Sequence, residues 1–359
     1  MKTAQETAPA NTKSLNANPV SIATGSCITA ATKYQNIYGL LNVGSINGQT
    51  VSDTEMCWIG KAFQEMFVAT SGETNCDAFN QHLILQKAYE YRSANATFKT
   101  TKATGFEKFT ANYSSCDVIT IGGSSQNTAN KQISEVVEHL LHAISDTGFA
   151  QAMPKYFAHK NSYLACAKDE AVKNGTFKTT DYNQVTNAET KERIIIQEYF
   201  YWLVTTAWGF QTTYGENSPN EWPYRTWADL KACNRNPLGV DLYENVISKI
   251  ITQPSTATLT SLGKMKQGGT PDASPCPLTA GTTPTNCCCT CSKGCVVDDT
   301  PSGTAATCKK TSCATQKAFT WVNSCSTVKH TSCPNVKAAG IIGFALQMLL
   351  VVYMIFGAY

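Results

Sequence analysis

The segment Ser134-Glu135-Val136-Val137-Glu138-His139-Leu140-Leu141-His142-Ala143-Ile144-Ser145-Asp146 carries apolar residues at helical spacing. At about 100° per residue, Glu135, Glu138, His139, His142 and Asp146 fall on one face. Ile133, Val136, Val137, Leu140 and Ile144 fall on the opposite face. Such a helix backs onto a core and presents two histidines and three carboxylates in one stripe. Acidic stripes are common on the wet faces of amphipathic helices. Here, however, two of the chain's five histidines stand within four positions. The stripe is therefore either a solvated face or a metal site, because imidazole and carboxylate groups one turn apart converge on one ion.

Outward from this helix, residues 117–121 (DVITI) read as a short strand stopped by Gly122-Gly123. Apolar periodicity predicts helices over 53–69, 77–92, 128–146, 188–208 and 240–252. Long alternating segments are missing, so a large sheet is not expected. The fold class is mainly α (α+β), with a short strand before the motif helix.

The strand, the apolar back of the helix and Gly148 at its end resemble the active-site helix of the zincin metallopeptidases. That family's HExxH places two histidines at i and i+4 and a glutamate base at i+1. This chain has EHLLH, with Glu138 where the first histidine stands and His139 where the glutamate stands. In the gluzincin branch a glutamate on a second helix completes the ligand set. Glu198 suits that role: it is the only ionisable carboxylate of Ile194–Trp208, which is apolar on nearly every face and so reads as a buried helix. A buried carboxylate is costly unless paired, hydrogen-bonded or metal-bound. The resemblance implies zinc, a peptide or protein substrate, and one of two ligand sets. In the first, Glu138, His142 and Glu198 hold the metal and His139 transfers protons. In the second, His139 and His142 bind, and Glu138 or Glu135 is the base. Two carboxylate ligands weaken zinc as a Lewis acid, so an inactive relative of the peptidases is equally implied, and iron or manganese also suits such a site.

The remaining composition speaks to compartment. Only 15% of the 359 residues are charged, against roughly 25% in a typical soluble domain. A formal charge of +3 without a Lys/Arg block argues against a nucleic-acid binder. Of the 16 cysteines, six precede residue 234 and ten lie between Cys276 and Cys333; both counts are even, as full disulfide pairing in an exported protein requires. Sequons at Asn95, Asn112 and Asn174 agree with export and glycosylation. Residues 338–359 are apolar, long enough to span a bilayer, and follow a small-residue site at Asn323-Ser324-Cys325. They read as a GPI-attachment signal ahead of a retained membrane helix. The first 21 residues lack the apolar region of a secretory signal peptide.

Four segments are expected: a disordered 1–22, a helical domain over 23–253, a Thr/Ser/Pro/Cys-rich stalk over 254–336, and the membrane anchor or signal over 337–359. His82 reads as a helix residue, His159 as a loop residue, and Cys287–Cys295 as disulfide-forming. Two functions remain open. One is a membrane-anchored extracellular zincin-like metal-binding protein, active or inactive as a peptidase. The other is a non-enzymatic, cysteine-rich GPI-anchored coat or adhesion protein at the cell surface.

Overall fold

The computed structural model describes residues 20–21, 31–37, 40–46, 50–67, 81, 84–85, 94–99, 117–215, 218 and 220–274. These residues are predominantly helical. Strands β1 (Val20–Ser21), β2 (Ala31–Ile37), β3 (Leu40–Ile46), β4 (Ala94–Lys99) and β5 (Asp117–Ile121) form one sheet in the order β1-β2-β3-β4-β5. The first two pairings are antiparallel and the last two parallel, with Thr97 opposite Ile119. The sequence reading lacked this sheet except for its last strand, and β1 falls inside the stretch read as disordered.

Helix α1 (Asp53–Met66) starts at a reciprocal cap between Ser52 and Glu55. Next comes α2 (Ala129–Ala143), capped by Thr128, the helix of the EHLLH motif. At Ile144 it widens into a π-helical turn that runs to Phe149. Gly148 is required in that turn, because a Cβ there would stand 2.7 Å from Ile84 Cγ2. Helices α3 (Tyr163–Lys173) and α4 (Ala188–Ala207) follow, capped by Ser162 and Asn187. The chain leaves α4 through Gly209 in the left-handed region, φ +70°. Helices α5 (Trp227–Cys233), α6 (Pro237–Asn245) and α7 (Thr256–Gly263) complete the described body. Of the helix expected over 77–92, Gln81, Ile84 and Leu85 are described, each buried and helical; His82 lies outside the described residues.

The helical body extends past the expected boundary at residue 253. Leu259 and Leu262 of α7 are fully buried, the Gln267 amide donates to the Gln126 carbonyl at 2.9 Å, and Trp58 Nε1 donates to the Asp272 carbonyl. Two leucines sufficed to dock a helix whose Thr/Ser content reads as stalk. The rest of the stalk and the apolar C-terminal segment lie outside the described residues. Among the described helices none is long and apolar enough to cross a membrane. Cys57 is disulfide-bonded. Asn174 Nδ2, the atom a glycan would take, donates to the Arg235 carbonyl at 2.7 Å.

Helix α2 is buried on both faces. Val136, Val137, Leu140 and Leu141 are fully buried, and His139 and His142 are 2% and 6% exposed. The polar stripe is therefore an internal surface rather than a wet one, turned toward β5 and α4. Its N-terminal half serves the sheet. β5 is an edge strand, and its backbone groups need partners. Gln132 supplies two of them: Oε1 accepts from the Gly122 amide at 2.9 Å and Nε2 donates to the Thr120 carbonyl at 2.9 Å. Glu135 Oε1 accepts from the Thr120 amide at 2.8 Å. Replacing Gln132 with Leu leaves two backbone groups unsatisfied and should cost about 1–3 kcal/mol, read as a lower midpoint in denaturant unfolding; an unchanged midpoint would refute this bracing.

Candidate metal centre

Three elements deliver the polar interior. β5 brings Asp117 at its first residue, α2 brings Glu135, Glu138, His139 and His142, and α4 brings Glu198. The long apolar flanks of α4 hold Glu198 in place: Ile194, Tyr201, Trp202 and Thr205 are all buried around it. Glu198 itself is 8% exposed. A further buried carboxylate, Glu221, accepts a hydrogen bond from the Tyr182 hydroxyl.

The two histidines have different surroundings. His139 Nδ1 lies 2.8 Å from Asp117 Oδ1, and its Nε2 lies 3.5 Å from Glu135 Oε1. Burial alone would lower its pKa, but the Asp117 and Glu135 carboxylates overcome this and hold it well above the usual histidine value. These two carboxylates therefore favour the protonated form of His139. His142 is the reverse case. Burial, reinforced by the His139 charge and opposed by Asp117, brings its pKa down to about 4. It is neutral, with Nδ1 at 3.7 Å from Asp117 Oδ2 and Nε2 at 3.8 Å from Glu198 Oε2. The two rings meet edge to face, 5.5 Å between centroids.

Several atoms in this interior lack hydrogen-bond partners: His142 Nε2, Glu198 Oε2, Asp117 Oδ2 and Glu221 Oε2 are all buried and unsatisfied. Unsatisfied buried polar atoms are rare and need a physical reason. Two residue groups place their ligand atoms within 4.8 Å of one another: Glu138, His142 and Glu198; and Asp117, His139 and His142. Either group has the donor types to hold a metal ion. Two bonds of about 2.1 Å span at most about 4.2 Å, so the 3.8 Å between His142 Nε2 and Glu198 Oε2 lies within reach of one ion.

The sequence-predicted residues thus divide. Glu138, His142 and Glu198 come together. His139 adjoins them but is committed to its ion pairs. Glu135 has both oxygens engaged, Oε1 by Thr120 and Oε2 by Gln126 Nε2 at 3.0 Å. Sequence reasoning missed Asp117, read only as the start of a strand, and Glu221, an acid set beside buried Trp222. His159, read as a loop residue, has Nε2 2.6 Å from Asp146 Oδ1. Comparison with known proteins adds no relative: no family model, no curated protein and no solved structure matches this chain.

Burial, with Glu138 and Glu221 nearby, raises the Glu198 pKa well above the carboxylate range, and burial brings Glu221 up to about 7. A raised folded-state pKa means stability present at low pH and lost as pH rises toward that value. The raised pKa of His139 acts in the same direction above its ordinary 6.5. His142, depressed to about 4, opposes them only below 6.5. The metal-free protein should therefore melt at progressively lower temperature as pH rises from 6.5 toward 8.5. Glu198→Gln should flatten the slope. A melting temperature that climbs over this range would contradict the assignment.

Proposed function

We propose that this chain is a metal-binding protein with a zincin-like site, displayed on a cell surface as an inactive relative of the metallopeptidases. Glu138, His142 and Glu198 are the ligands in this reading, and zinc is the expected ion. The observation that carries it is the buried pair His142 Nε2 and Glu198 Oε2, both without hydrogen-bond partners and 3.8 Å apart. A neutral imidazole nitrogen facing a carboxylate oxygen across that gap suits a shared cation. Helix α2 supplies Glu138 and His142 one turn apart, and α4 supplies Glu198 from the facing side, as the gluzincin resemblance implies.

Of the two ligand groups, the one with Glu198 is favoured. In the other, His139 Nδ1 already faces Asp117 Oδ1 at 2.8 Å, and a metal would have to displace that ion pair. A zinc ion bound among Glu138, His142 and Glu198 would lower the pKa of its water and polarise a carbonyl. Among the described residues, the proton-accepting side of peptide hydrolysis is the part this reading does not supply. A base must accept a proton from water, and His139, at the base position, faces the Asp117 and Glu135 carboxylates, which favour its protonated form. Two carboxylate ligands reduce the ion's acidity further. Metal binding without efficient peptide hydrolysis follows. The surface location rests on the cysteine content, the stalk composition and the apolar C-terminal segment. It joins this reading to that of a cysteine-rich surface coat, with the metal as a structural part of the displayed domain.

Full-length protein purified without chelator should contain about one divalent metal per chain by elemental analysis. His142→Ala and Glu198→Gln variants, shown to be folded by circular dichroism, should lose it. Zinc at about 100 times its Kd should stabilise the wild type by about 2.7 kcal/mol, seen as a higher melting temperature. Wild-type protein that takes up neither zinc, manganese nor iron would defeat the proposal. Hydrolysis of a peptide library that disappears in His142→Ala would show an active peptidase instead.

A further inference from the structure

Asp117 lies within 4 Å of a ring nitrogen of both histidines. Its Oδ1 accepts from the Val118 amide at 3.0 Å and faces His139 Nδ1 at 2.8 Å. Its Oδ2 has no hydrogen-bond partner, is buried, and faces His142 Nδ1 at 3.7 Å. On the far side of the same ring, His142 Nε2 faces Glu198 Oε2. The order across the site is thus carboxylate, imidazole, carboxylate, with Asp117 on the strand side and Glu198 on the helix side.

A neutral imidazole has one N–H and one lone pair, and the hydrogen bond at one nitrogen decides which is which. Metal-binding histidines almost always donate their second N–H to a carboxylate, carbonyl or water, which fixes the tautomer and the ring plane. We propose that Asp117 is the positioning residue of the metal centre: its Oδ2 takes the Nδ1–H of His142, so that the Nε2 lone pair is turned toward Glu198 and Glu138. This inference rests on the metal-binding reading given above. It assigns Asp117 a role beyond the bound ion rather than as a ligand. As a ligand it would compete with its own contact to His139, whereas as a positioning residue it uses the oxygen that has no other partner.

The location of Asp117 fits this role. Parallel pairing with β4 fixes the start of β5, with Asp117 opposite Asn95. Gln132 and Glu135 lock the other edge of the strand to α2 by three hydrogen bonds. The carboxylate is therefore held by two rigid elements, and the distance it must close to His142 is small. The adjacent His139 contact keeps Oδ1 occupied and turns Oδ2 toward His142.

The test uses full-length protein. Nitrogen-15 chemical shifts of the histidine rings in the metal-free wild type, assigned with His142→Gln, should show His142 protonated on Nδ1. A proton on Nε2 would overturn the inference without any variant. Co2+ titration followed by visible absorption, with Zn2+ competition, should show about 10- to 100-fold weaker metal binding in Asp117→Asn, with a shifted cobalt spectrum in a protein that remains folded. His139→Gln, which removes the other partner of Asp117, should weaken binding less and keep the His142 tautomer. An Asp117→Asn variant with wild-type affinity and spectrum would refute the positioning role while leaving the metal site standing. Equal losses in Asp117→Asn and His139→Gln, both with an altered tautomer, would show that Asp117 acts through His139 and would also refute it. A wild type that binds neither ion would bring down both this inference and the metal-binding reading.

Discussion

A carboxylate taken out of water must be paired, hydrogen-bonded, protonated or bound to metal, or it costs several kcal/mol. This fold places Asp117, Glu135, Glu138, Glu198 and Glu221 in or beside one interior. Among the described residues, the ion pairs of Asp117, Glu135 and Glu198 in this interior are made with histidine. Almost every feature near α2 is an answer to that cost.

The answers differ from residue to residue. Glu135 is hydrogen-bonded by the Thr120 amide and by Gln126 Nε2, which holds β5 on α2, and burial still raises its pKa. Asp117 stays ionised because the His139 imidazolium outweighs its burial, and its pKa is lowered. Glu221 shares one oxygen with Tyr182 and keeps the other unsatisfied. Glu198 has the least relief: burial and the neighbouring carboxylates raise its pKa, and the His139 charge offsets them only in part. In the proposed reading a divalent cation would satisfy the unpartnered Glu198 Oε2 and His142 Nε2 together, with Glu138 within the same ligand group. The metal-binding reading therefore grows out of the electrostatics of the fold, with the motif as a second line of support.

How much of this was legible in the sequence depended on the range of the interaction. The strand at 117–121 was readable from its apolar run and the Gly122-Gly123 stop. Helices α1, α2 and α4 were readable from periodicity and caps. Spacing along α2 placed Glu138 and His142 together, and the apolar surroundings of Glu198 marked it as a buried acid. The rest required knowledge of distant neighbours. β3 and β4 pair residues about fifty positions apart, which no local pattern encodes. A helical wheel put Glu135 on the site face but could not reveal that the Thr120 amide would occupy it. Asp117 looked like the polar start of a strand, and only the docking of that strand against α2 made it the neighbour of both histidines. The Thr/Ser content of α7 hid the two leucines that anchor it.

In the proposed reading, the difference between EHLLH and HExxH is one coupled change. A glutamate at the first position adds a negative ligand to a site that already contains Glu198. A histidine at the second position adds a positive charge within the same turn. His139 can be positive because Asp117 and Glu135 flank it, and Asp117 can stay ionised because His139 is positive. A glutamate in place of His139 would instead face those two carboxylates, and like charges in a buried site cannot all ionise. In the proposed reading, the position that a peptidase uses for its base is occupied by His139, whose ion pair with Asp117 lowers the Asp117 pKa. In the proposed reading, metal binding without proton transfer is the arrangement this electrostatic environment favours.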